Sequence, residues 1–133
     1  MVLASFLALS GTAGAKPRTR HTVPDRDYIC ALAAANSFLH AWQTHDHESG
    51  LLMLSDEAKR RTTEDKLQAF LAPGPVAAQG FLITSGKKVK PGRYVFEVAL
   101  LEAVSGNETI HRHFSRIVVV RAGKDDWAVD NVP

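Results

Sequence analysis

Arg93-Tyr94-Val95-Phe96-Glu97-Val98-Ala99-Leu100-Leu101-Glu102-Ala103 is the stretch whose reading decides the fold. Tyr94, Phe96, Val98 and Leu100 fall on one side and Val95, Glu97, Ala99 and Leu101 on the other. That period of two belongs to a strand, because successive side chains of extended backbone point to opposite faces. Outward from it the pattern repeats. Gly80–Ser85 is a short apolar run closed by Gly86-Lys87-Lys88-Val89-Lys90-Pro91-Gly92, and Thr109–Arg121 is a long strand ending in Ile117-Val118-Val119-Val120. Trp127-Ala128-Val129-Asp130-Asn131-Val132 supplies the last strand. Ser105–Glu108 and Ala122–Asp126 are short enough for hairpins, so about four strands form an antiparallel sheet.

Upstream the period is helical. Tyr28, Leu32, Ala35, Leu39 and Trp42 recur at intervals of three and four, with Ile29, Ala31 and Phe38 widening the stripe. Pro24 opens this helix, and Asp25 and Asp27 meet the positive end of its dipole. It runs out in the polar cluster Gln43–Glu48. A short second helix is expected to turn Leu51, Leu52 and Leu54 inward. Ser55–Arg61 reads as a charged stretch. Thr62 or Thr63 caps a third helix that buries Leu67, Phe70 and Leu71 and stops at Pro73-Gly74-Pro75. Three N-terminal helices on one face of an antiparallel sheet make a single α+β domain over residues 24–133.

The first residues form no part of that domain. Met1–Ala15 carries no charge, and its short apolar run ends in Ala13-Gly14-Ala15, small residues where signal peptidase requires them. A cleaved signal at 1–15, followed by a mobile basic leader at 16–23, predicts an exported protein, periplasmic or secreted. The run falls short of the ~20 residues of a membrane-spanning helix, so no integral membrane span is expected. In the whole chain of 133 residues the formal net charge is only +2, which argues against nucleic acid as a partner. Cys30 is the only cysteine, so no intramolecular disulfide can form, and it reads as a small packed residue.

This layout resembles the NTF2-like (cystatin-like cone) superfamily. The residues that carry the likeness are the helix Ala31–Trp42, the hairpin strands Arg93–Ala103 and Thr109–Arg121, and the closing Trp127-Ala128-Val129-Asp130. The resemblance implies a long helix lying across a curved sheet, with a pocket between them. It includes isomerases, cyclases, dehydratases and transport factors, so it implies a shape more than a chemistry.

Candidate site residues follow from both readings. Phe38, Trp42, Tyr94, Phe96 and Asp130 are the expected pocket walls for a small apolar or amphipathic ligand. For acid–base chemistry the inward-facing polar residues are Asp130 and His113, with Glu97 assigned to the solvent face. His111 and His113, two apart on a strand, point the same way and would serve a metal only if His40 or Asp130 joined them, so no metal site is assigned. His45 and His47 lie in an exposed connection. No phosphate loop, nucleophile elbow, C-x-x-C or H-E-x-x-H occurs, and no cofactor is implied. Lys59-Arg60-Arg61 and Lys87–Arg93 read as solvated loops. Asn107-Glu108-Thr109 matches a glycosylation sequon. Phe114, Val118 and Val120, with Arg112 and Arg116, mark an outer sheet face suited to a homodimer.

The expectation is therefore an exported, non-catalytic domain that binds a small molecule or a partner protein through its pocket. The alternatives are a cofactor-free enzyme of the isomerase, cyclase or dehydratase kind, with Asp130 or His113 as base, and a structural dimerisation module whose pocket is filled.

Overall fold

The computed structural model describes residues 25–71, 76–104, 106 and 109–133. The expected signal and leader, the Pro73-Gly74-Pro75 break and residues 107 and 108 of the sequon lie outside the described residues. Helix α1 spans Arg26–Gln43, α2 His47–Met53, α3 Asp56–Arg61 and α4 Glu64–Leu71. Strands β1 (Val76–Lys90), β2 (Arg93–Val104), β3 (Ile110–Arg121) and β4 (Trp127–Val129) pair in that order as one antiparallel meander.

Asp25 caps α1 by accepting the Asp27 N–H at 3.2 Å. The helix ends in a Schellman arrangement, with Asp46 N–H on the Ala41 carbonyl and His45 N–H on that of Trp42. His45 takes the left-handed conformation at φ 58°, where glycine is usual. Asp46 then caps α2 through Ser49. The polar cluster is thus a helix-to-helix corner.

Three local expectations need correction. Asp56–Arg61 is a helix capped by Ser55, which makes four among the described residues. The Ser55 hydroxyl accepts the Ala58 N–H at 3.0 Å, with Asp56 and Glu57 in the first turn and Lys59, Arg60 and Arg61 in the last. It buries only Ala58, so hydrophobic periodicity could not have found it. In α2, Leu52 is 81% exposed and Leu51 38%; the turn instead buries Gly50, where a Cβ would lie 2.8 Å from Leu71 Cδ2. Ile29 likewise points outward from α1.

The sheet differs at its edges. β1 continues through Gly86–Lys90, so the hairpin turn shrinks to Pro91-Gly92, with Gly92 at φ 79°. Lysines along this edge strand are compatible with pairing and discourage edge-to-edge association. β4 stops at Val129 because a side chain takes over its ladder. Asn131 Oδ1 accepts the Val118 N–H at 2.7 Å and its Nδ2 donates to the Arg116 carbonyl at 2.8 Å.

α1 lies on one sheet face. Ala31, Ala35, Phe38, Leu39 and Trp42 meet Tyr94, Phe96, Val98, Ile117, Val119 and Val129, all at most 1% exposed. No described helix is long and apolar enough to cross a membrane.

Candidate functional site

The sheet face beneath the helices changes character along its length. Antiparallel partners on β2 and β3 share a face, which gives the rows Tyr94–Val119, Phe96–Ile117, Val98–Ser115, Leu100–His113 and Glu102–His111. The first two rows are buried, with the Tyr94 hydroxyl as their one polar side-chain group. The last two end in exposed histidines.

At the closed end the space is filled by rings. Tyr28 packs its edge on Tyr94 at 5.9 Å between centroids and tilts on Phe96 at 5.6 Å, and Trp127 meets Tyr94 at 5.7 Å. The Tyr94 hydroxyl donates to Asp25 Oδ2 at 2.7 Å. Burial, and then this contact with a carboxylate, pushes the Tyr94 phenol up to about 12. The same hydrogen bond, helped by the Asp27 N–H and Lys88, holds Asp25 below the ordinary carboxylate range. Gly86 passes over this cluster at a distance no side chain allows, since a Cβ would lie 2.5 Å from Phe96 Cδ1 and 2.7 Å from the Tyr28 hydroxyl.

Toward the open end Phe70 of α4 stacks on both Phe38 and Trp42, each at 5.9 Å. Beyond it lies a cleft of about 340 Å³ with Trp42, Phe70 and Leu100 as its apolar wall and Glu102, His111 and His113 as its polar rim. That volume lies near the lower limit for small-molecule sites, roughly 300 Å³. Ala69, Phe70 and Pro133 also border a second cleft, of about 610 Å³, which contains Asp130. The structure thus brings Trp42, His111 and His113 together and places Asp130 in the neighbouring cleft. Phe38, Tyr94 and Phe96 lie in the close-packed core.

Asp130 is 8% exposed and fully engaged. Its Oδ1 accepts the Ser55 hydroxyl at 2.7 Å and lies 3.2 Å from Arg61, and its Oδ2 lies 3.3 Å from Arg93. Burial raises its pKa, but the bonds from Ser55 and Arg61 and the charges of Arg61 and Arg93 outweigh this and hold it below the usual range. Asp130 therefore ties the start of α3 to the end of β4. Glu97 faces solvent as expected, paired with Arg116 at 2.8 Å.

His40, considered as a third metal ligand, borders a separate polar groove with Thr44, Asp46 and Ser49. Among the described residues no three His, Cys, Asp or Glu side chains gather as a metal set. Cys30 is a half-buried free thiol.

Glu102, Phe70 and Leu100 are the rim and wall residues that the sequence reading did not place in a site. The signal for Glu102 was present: it continues the even-numbered face of Tyr94, Phe96, Val98 and Leu100. Across β1 its partner is Gln79, which is 8% exposed and whose amide has no hydrogen-bond partner among the described residues.

No family model and no curated protein matches the sequence. Solved structures do match. A ketosteroid isomerase-like protein from Erwinia carotovora atroseptica superposes with a TM-score of 0.59 at 12% identity, over 80% of this chain and 93% of that one. A SEC-C motif containing protein from Rhodopseudomonas palustris gives 0.55 at 16%, over 74% and 73%. A computationally designed 17-OHP binder gives 0.51 at 15%, over 77% and 88%. At such identities the likeness is one of fold, and it is the α+β cone architecture that the sequence implied.

Proposed function

We propose that this chain is a small-molecule-binding domain whose site is the open end of the concave sheet face. An amphipathic ligand would lay its apolar body against Trp42, Phe70 and Leu100 and turn its polar end to Glu102, His111 and His113. One observation carries the reading: the same face that is sealed by rings at Tyr94 and Phe96 opens into an aromatic-walled cleft with a titratable rim. Phe38, Tyr94 and Phe96 act one layer back, holding the Trp42–Phe70 wall in place. The likeness in fold to a designed ligand binder supports this reading. We take binding as the whole activity and the domain as exported, with cleavage after Ala15, the latter on the N-terminal sequence alone.

The acid–base alternative rests on His113. Asp130 suits it poorly, because a general base of this kind needs a carboxyl lifted toward neutrality, whereas two arginines and Ser55 keep Asp130 ionised. The filled-module alternative draws on the complete burial of Phe38, Trp42, Tyr94 and Phe96, and on Phe114 and Ile110, 69% and 64% exposed, as a contact for a second copy.

Native mass spectrometry of the protein as purified separates these readings. Ligand binding at the cleft predicts a small adduct that is lost on denaturation and absent from His111→Trp, a change at an exposed position that fills the cleft. An adduct retained by His111→Trp refutes this site. Dimeric chains free of any adduct favour the filled module.

A further inference from the structure

The larger of the two clefts that Phe70 borders, about 610 Å³, lies between α3, α4 and the residues after β4. One wall is apolar, made by Ala58, Phe70, Val132 and Pro133; the other carries Arg61, Thr62 and Lys66. The one acidic side chain in its lining is Asp130, and both of its oxygens are taken, Oδ1 by Arg61 and Oδ2 by Arg93. Glu64 and Asp65, in the first turn of α4, do not line the cleft.

Arg61 is held by one edge. Its Nη2 donates to the Asp130 backbone carbonyl at 2.7 Å and lies 3.2 Å from Oδ1, and its Nε donates to the Glu57 carbonyl at 3.4 Å. Its Nη1 has no partner among the described residues. Lys66 is exposed and has no ion-pair partner among them either. A guanidinium already fixed in place offers a free donor edge at little further cost in side-chain entropy.

We propose that this cleft binds an organic anion with an apolar body, in the class of medium-chain monocarboxylates. The carboxylate sits between Arg61 Nη1 and the Lys66 ammonium, within reach of the Thr62 hydroxyl, and the alkyl body lies along Phe70, Val132 and Pro133. Asp130 is a positioning residue: it touches no ligand and acts by aiming Arg61.

Amide chemical shifts of the full chain, followed during titration with sodium octanoate and with 1-octanol, test this. Octanoate should shift Thr62, Lys66 and Asn131 saturably, and octanol should bind at least about tenfold more weakly, the loss of a charge-assisted contact. Lys66→Met, at an exposed position, should weaken octanoate by about the same factor and leave octanol unchanged. Asp130→Asn gives the sharper reading. It removes a negative charge beside the cleft, so an unstructured cationic patch would bind octanoate more tightly, whereas a site aimed by Asp130 binds it more weakly. Equal affinity for octanoate and octanol overturns the proposal, as does tighter binding in Asp130→Asn or no saturable shift. Shifts confined to Leu100, Glu102 and His113 would also overturn it while leaving the open-end site standing.

Discussion

At one end of the sheet face beneath the helices Tyr94 and Phe96 are at most 1% exposed; at the other, His111 and His113 stand in solvent on the same strand pair. The two ends share one sheet and one alternation. What separates them is coverage. α1 has 18 residues and is therefore ~27 Å long, whereas the 12 residues of β2 or β3 extend ~40 Å. At the far end His111 and His113 are exposed on β3, and those are the positions that turn polar. The short α4 brings Phe70 in as a partial roof there.

The ring cluster at the closed end should carry much of the stability and the exposed rim of the open end almost none. Phe96→Ala removes a fully buried ring beneath Gly86 and Tyr28, and denaturant unfolding should show a loss of about 3–5 kcal/mol. Less than 1 kcal/mol would mean that this end is loosely packed and that the contrast is false. Gly86→Ala acts in the opposite sense, forcing a methyl against Phe96 and the Tyr28 hydroxyl. It should cost about 1–3 kcal/mol as overpacking, read by the same method.

The two ionisable anchors sharpen the comparison through pH. Tyr94 keeps its proton up to about 12 when folded, against ~10 in the unfolded chain. Its contribution is present below pH ~10 and is lost as pH rises toward 12, since only the unfolded state gains by ionising. Urea midpoints should fall over that window, and in Tyr94→Phe this part of the fall should vanish. Asp130 is shifted the other way. Its contribution is present above the unfolded value of ~3.9 and fades as pH drops through its lower folded value. Asp130→Asn should therefore be less stable at pH 7 and should show a shallower acid limb; an unchanged acid limb would remove the Arg61–Asp130–Arg93 cluster from the account.

The smallest effect belongs to the rim. His113→Ala should shift stability by no more than about 0.5 kcal/mol, as expected for an exposed side chain with no hydrogen-bond or ion-pair partner among the described residues. A loss above 1.5 kcal/mol would show the open end to be part of the core, and the ligand reading would lose its ground.

Much of this was written in the chain. Period two in Arg93–Ala103 and the three-four spacing from Tyr28 to Trp42 were enough for the α+β layout, because burial imposes a face on every element and the face appears as a period. α3 was not legible, since a six-residue helix with one buried alanine is held by its cap and dipole and leaves no apolar stripe. Leu51 and Leu52 misled for the converse reason: apolar residues do not fix which side of a seven-residue helix is buried, and the close approach of Leu71 to Gly50 did. Trp42, His111 and His113 were recognisable as candidates by type, but no spacing joined them to Phe70 or Glu102.

Sequence alone determined the periods of α1 and of the long strands, and the strand order of a meander joined by short turns. These are local or nearest-neighbour properties, set by backbone geometry and turn length. Only the tertiary structure decided where the helices stop covering the sheet, that Asp130 is neutralised by arginines from α3 and β2, and that Phe70 borders two clefts. Those facts depend on the relative lengths and packing of elements far apart in the chain, to which local periodicity is blind.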